Sequence, residues 1–117
     1  MEIVKKPWGY EKWIIQGEKF VVKEIFMEAG ARSSLQYHRV KAETNYIQSG
    51  TALVRLGEDE EYMLPGTIFH VAPWCIHRVN AVKDLTMIEI SSPELDDIVR
   101  LEDDFKRPDG RIESEHT

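Results

Sequence analysis

The stretch GARSSLQYHRVKAETNYIQSG, residues 30–50, decides how the chain folds. Gln36 and His38 are two apart, so in a strand they point to the same face. Arg32 and Ser34 continue that parity if the strand runs straight. One face then carries Arg32, Ser34, Gln36 and His38, with no apolar residue among them. A buried face of this kind lines a site, because each unpaired buried polar group costs about 1–3 kcal/mol. The competing reading is the solvent face of an edge strand, and parity alone does not choose between the two.

On either side the chain reads as short strands separated by turns. Phe20–Met27 is β-branched and aromatic and ends at Glu28-Ala29-Gly30. Residues 33–38, 43–48, 51–56, 61–64, 67–71, 77–82 and 85–91 follow, punctuated by Ser49-Gly50, Gly57–Glu60, Pro65-Gly66, Ala72–Cys75 and Asp84. Strands at spacings of roughly 8–12 residues with turn signals between them predict a sandwich or barrel. The body of the barrel is expected over 20–91. Residues 93–107 read as a short helix, with Leu95, Ile98, Val99 and Leu101 on one face, or as a strap across the barrel. The polar tail, 108–117, is expected to fray.

The 117 residues suffice for one domain and not two. With 21 acidic against 15 basic residues the net charge is −6, which argues against a nucleic-acid backbone as partner. A single small anion remains possible, since two or three local cations serve one phosphate. Cys75, the sole cysteine, excludes an internal disulfide and a paired-cysteine metal motif. No apolar run approaches membrane-spanning length, and the start, Met-Glu-Ile-Val-Lys-Lys-Pro, has no apolar core of a signal peptide, so a cytoplasmic protein is expected.

Spacing carries a resemblance. Gly30-x5-Gln36-x-His38-x4-Glu43-x6-Gly50 resembles the first cupin motif, Gly-x5-His-x-His-x3–4-Glu-x6-Gly. Gly66-x5-Ala72-x4-His77 keeps the outer spacing of the second motif, with Pro73 one place late, Trp74 in place of the glycine and Asn80 one residue early. The opening Lys6-Pro7-Trp8-Gly9-Tyr10-Glu11 and the closing Asp96-Asp97-Ile98-Val99-Arg100-Leu101-Glu102-Asp103-Asp104-Phe105 are similar to those of the type II mannose-6-phosphate isomerase family, a branch of the cupins. The resemblance spans residues 6–107. It implies an all-β double-stranded β-helix, a jelly-roll barrel with its ligands at the barrel mouth.

It also implies a site. Gln36, His38, Glu43 and His77 are the expected metal ligands, a mixed N/O set that suits Zn²⁺ and also Mn²⁺, Fe²⁺, Co²⁺ or Ni²⁺. Arg32, Ser34 and Lys41 are the candidates for holding the substrate phosphate; Arg78 is expected to point away from its neighbour His77. Glu89, between Ile88 and Ile90, is the candidate base, with a solvated position equally open, and Glu43 shares the catalytic assignment. His70 is expected to be a packed strand histidine, His116 idle, and Cys75 a buried inert thiol. The implied function is aldose–ketose isomerisation of a sugar phosphate. The alternative is a non-catalytic cupin that binds a sugar or sugar phosphate as a regulatory module, and an oxygen-using Fe²⁺ cupin ranks third. A homodimer is expected, with the segment around Trp8 and Trp13 on the outside or on a partner. The chain has no Gly-rich nucleotide loop, so no guanylyltransferase activity is expected of it. Arg39-Val40, Thr44-Asn45 and Trp74–Ile76 depart from the family pattern around the pocket rim.

Overall fold

Alternation in two central strands sets the architecture. In β3 (Val21–Met27) the residues Val21, Lys23, Ile25 and Met27 are buried while those between them are half-exposed. In β10 (Leu85–Ser91) the buried set is Leu85, Met87, Glu89 and Ser91. The two strands pair antiparallel, placing Leu85 opposite Met27, Met87 opposite Ile25 and Glu89 opposite Lys23. The period of two sends all eight side chains to one interior.

The computed structural model, which describes residues 2–116, builds two antiparallel sheets around that interior. One has the order β1 (Glu2–Lys6), β2 (Gly9–Gln16), β3, β10, β5 (Glu43–Ser49), β8 (Ile68–Val71). The other runs β11 (Val99–Glu102), β4 (Leu35–Tyr37), β9 (His77–Ala81), β6 (Ala52–Leu56), β7 (Asp59–Met63). From β3 to β6 consecutive strands alternate between sheets, the winding of a jelly roll. Ile47, Val54, Val71, Leu85, Met27 and Met87 fill the space between the sheets, each at most 3% exposed. Gly50 ends β5 with φ +86° where a Cβ would lie 2.0 Å from the Asp84 carbonyl oxygen, so the turn admits no side chain.

Two expectations are corrected, and one pair of alternatives is decided. The segment around Trp8 and Trp13 is neither outside nor free for a partner. β1 and β2 extend the six-stranded sheet, β2 pairs with β3 from Gly9↔Met27 onward, and both indoles are 6% exposed, Trp8 within the core. Residues 93–107 form a strap and not a helix: β11 hydrogen-bonds to β4. The tail expected to fray is docked, ending in a 3₁₀ turn, Glu113–His116, whose Glu115 pairs with Lys6 and Arg107. No helix among the described residues is long and apolar enough to cross a membrane.

Candidate metal centre and its cavity

Three strands bring the expected ligands together. His38 follows β4, Glu43 opens β5, and His77 opens β9, where its backbone lies opposite Gln36 of β4. The His38 and His77 Nε2 atoms lie 3.2 and 3.3 Å from the same oxygen, Glu43 Oε1. All three side chains are buried, and one donor atom from each lies within 4.8 Å of the others. The Gln36 amide sits 3.3 Å from His77 Nε2 and accepts a hydrogen bond from Ser34 Oγ at 2.8 Å through its own oxygen.

The rings are held from behind. His77 Nδ1 donates to the Cys75 carbonyl at 2.9 Å, and His38 Nδ1 to the Asp97 carbonyl. Both rings turn Nε2 toward Glu43 Oε1, so two ring nitrogens and a carboxylate oxygen meet at one point. Backbone-anchored Nδ1 atoms are the usual support of metal-ligating histidines. The donor set of this chain thus fits a divalent metal ion. Asp97 acts twice, since its carboxylate also accepts from the backbone N–H groups of Arg39, Val40 and Lys41, shaping the loop that follows His38.

Beside the ligands lies a buried charge pair. Lys41 Nζ is 3.2 Å from Glu89 Oε2, and both side chains are 8% exposed. Burial and the neighbouring Glu43 charge push the Glu89 carboxyl up to about 7, against the pull of Lys41 and Lys23. Burial works to raise Glu43 as well, but Lys41 and the bonds from the two histidines hold it well below the usual carboxylate range. Asn45, buried beside them, donates to Glu43 Oε2 at 3.4 Å, and its Oδ1 has no hydrogen-bond partner. An orphan acceptor inside a polar cavity is a ready partner for a hydroxyl.

Arg32 does not join this group. Gly30–Ser34 is not a straight strand: only an isolated bridge, Arg32↔Asn80, precedes β4, so the parity that holds for Ser34, Gln36 and His38 fails at Arg32. Its guanidinium lies outside the cavity, bonded to both oxygens of Asp104 at 2.7 and 2.8 Å. Ser34, Lys41 and Glu89 line the cavity with the four expected ligands. Glu89 is interior, and its neighbours Ile88 and Ile90 face outward, so its parity partners are Leu85 and Met87. Arg78 points away from His77, as expected, and donates to the Ser33 carbonyl. His70 is exposed on the outer sheet face, bonded to Thr44 at 2.8 Å, and not packed as expected. Cys75 is half-buried against the core. His116 stands edge-on to Trp13 at 5.3 Å.

Sequence reading missed an inward run of charge. Lys23 lies 3.1 Å from Glu11 and 4.8 Å from the Trp13 ring. Its signal was available, because it shares the parity of Val21, Ile25 and Met27. Lys6, Arg100 and Arg107 also line the cavity, but they come from the two ends of the chain and no local pattern links them.

The family model described as Mannose-6-phosphate isomerase C-terminal matches residues 1–103. The chain belongs to this family. Among curated proteins it is 38% identical over 109 residues to xanthan biosynthesis protein XanB of Xanthomonas campestris, covering 89% of this chain and 23% of that protein. It is 31% identical over 111 residues to mannose-1-phosphate guanylyltransferase 2 of Escherichia coli O157:H7, covering 91% and 23%. The chain thus spans about a quarter of the length of these relatives. Of solved structures, KdgF from Halomonas sp. superposes with a TM-score of 0.74 at 19% identity, over 80% of this chain and 86% of that one. An RmlC-like cupin from Shewanella frigidimarina gives 0.73 at 18%, over 79% and 83%. The fold is that of the cupins, and the family is one of sugar-phosphate metabolism.

Proposed function

We propose that this domain is a metal-dependent aldose–ketose isomerase of sugar phosphates, with mannose 6-phosphate as its substrate. One observation carries the reading: Gln36, His38, Glu43 and His77 meet beside the buried Lys41–Glu89 pair in the same cavity. Gln36, His38, Glu43 and His77 would hold the metal, with Zn²⁺, Mn²⁺, Fe²⁺, Co²⁺ or Ni²⁺ all compatible with the donors. Bound there, the ion would supply Lewis acidity toward the sugar oxygens. Glu89 takes the proton from C2 and returns it at C1, while a proton passes from O2 to O1, so the hexose changes from aldose to ketose with no net loss or gain. Lys41 steadies the negative charge that develops on the sugar oxygens as the C2 proton leaves. Asn45 Oδ1 accepts from a sugar hydroxyl and orients the ring. Glu43 stays ionised throughout.

Burial of these charged groups excludes competing water from the proton path. The protein is expected in the cytoplasm, where phosphorylated sugars occur. It is also expected to be a homodimer, since Tyr46, Ile68 and Ile90 on neighbouring strands expose 43%, 58% and 49% of their surface on the outer face of the six-stranded sheet.

A coupled assay for fructose 6-phosphate, with apoprotein supplied separately with Zn²⁺, Mn²⁺ and Co²⁺, tests the proposal. Turnover is expected with at least one ion and is expected to vanish in Glu89→Gln and in His77→Ala. Saturable sugar-phosphate binding with no turnover under any metal would replace the isomerase by the non-catalytic binding module.

A further inference from the structure

Where Lys6 and Arg107 line the cavity, the tail places a carboxylate between these two cations. Glu115 Oε1 is 2.7 Å from Lys6 Nζ, and Glu115 Oε2 is 3.2 Å from Arg107 Nη1. All three side chains are 9–11% exposed. Arg107 is locked from the other side, its Nε and Nη2 donating to Asp103 at 2.8 and 3.1 Å, so Nη1 is the group left for an exchangeable partner. Arg100, on the same wall, has its Nε buried without a hydrogen-bond partner.

None of the residues of the turn Glu113–His116 is buried, and its contacts include the two Glu115 ion pairs, Arg111 to Glu113, His116 to Glu2, and the His116–Trp13 ring contact. The Arg111–Glu113 and His116–Glu2 pairs each have an exposed partner, and ion pairs of that kind are individually weak. With the tail docked the cavity measures about 110 Å³, below the roughly 300 Å³ at which small-molecule sites usually begin.

We infer that Lys6 and Arg107 form an anion subsite for the phosphate of a sugar phosphate, and that Glu115 is a displaceable plug holding its place. The inference rests on the sugar-phosphate reading of the cavity. A phosphate monoester brings more negative charge and one more acceptor oxygen than the carboxylate it replaces. Its arrival releases the turn and opens the cavity to the sugar, and its departure lets the tail close again. Unphosphorylated mannose has nothing to exchange for Glu115.

Titration of the Zn²⁺-loaded full chain with mannose 6-phosphate, and separately with mannose, tests this through tryptophan emission, because displacement separates His116 from Trp13. Mannose 6-phosphate is expected to change the emission and mannose is not. Glu115→Ala is expected to tighten mannose 6-phosphate about tenfold and Lys6→Met to weaken it about tenfold, the scale of one charge-assisted hydrogen bond. Both positions lie outside the core, and Glu115→Gln is expected to fall between wild type and Glu115→Ala. Unchanged affinity in Glu115→Ala overturns the plug. Loss of mannose and mannose 6-phosphate affinity alike in Lys6→Met, or no mannose 6-phosphate binding in any of these proteins, overturns the subsite. A chain that binds as expected but does not turn over keeps this inference and loses the isomerase, while turnover with affinity indifferent to Glu115 does the reverse.

Discussion

The two halves of the barrel interior are built from the same strands and obey opposite rules. In β3 the inward residues run from Met27 and Ile25 to Lys23, in β10 from Leu85 and Met87 to Glu89, in β5 from Ile47 to Asn45 and Glu43, and in β9 from Ala81 and Val79 to His77. Strand register stacks these into layers, with Met87 opposite both Ile25 and Ile47, and Glu89 opposite both Lys23 and Asn45. One half is dry and held by area and packing. The other is charged and holds together only because each ion has its counterpart. The difference teaches that the strands' parity decides what is inside, and their direction decides where the chemistry sits.

Removing a charge from the polar half is expected to cost most. Lys41→Met leaves Glu43 and Glu89 buried without their nearest cation, and loss of one partner of a buried pair costs about 3–5 kcal/mol; chemical denaturation checks it, and a loss under about 1 kcal/mol would mean the pair is solvated. In the apolar half, Leu85→Ala opens a cavity at a fully buried site and is expected to cost about 3 kcal/mol. Its metal affinity, read by competition with a chromogenic chelator, is expected to stay within about threefold of wild type, and a larger fall would show that the halves are coupled.

Acid sharpens the same contrast. Burial works to raise the Glu11 carboxyl, but Lys23 foremost, then Lys6, holds it down to about 2. A depressed carboxyl stabilises the fold fully above its unfolded value near 4.5, and that contribution is lost as pH falls from there through about 2. The full shift corresponds to roughly 3 kcal/mol. Glu11→Gln is expected to flatten the loss of stability between pH 4.5 and 2, and an unchanged acid slope would remove Glu11 from the account.

The smallest effect is expected at the rim. Trp74 adopts φ +68°, which disfavours a large side chain, yet its ring stacks on Tyr37 at 5.5 Å. Trp74→Gly relieves strain of about 1–2 kcal/mol and forfeits a stack of about 0.5–1.5 kcal/mol. The net change in thermal unfolding is expected to stay within about 1 kcal/mol, with metal affinity unaltered.

Much of this was legible in residue order. The motif spacing named Gln36, His38, Glu43 and His77, and turn signals at Ser49-Gly50 and Pro65-Gly66 marked strand ends that the structure reproduces. What escaped has physical causes. Arg32 leaves the inward face because strand parity breaks over Gly30–Ser34, where the backbone leaves the ladder. The burial of Trp8 and Trp13 depends on β2 pairing along β3, which nothing local in the sequence shows. Lys6, Arg107 and Glu115 meet only after both chain ends have docked, a contact across 109 residues that no periodicity encodes.

Asp97 joins the metal centre to the order in which the chain folds. The ligand residues are complete by position 77, but the carbonyl that fixes the His38 tautomer, and the carboxylate that shapes the loop after it, arrive 59 residues after His38. Until the strap lies down, the imidazole is free to present either nitrogen. On the proposed metal reading, metal capture during refolding is expected to report the docking of the strap, not the closure of the barrel, and a bound ion would in turn make that late step harder to reverse.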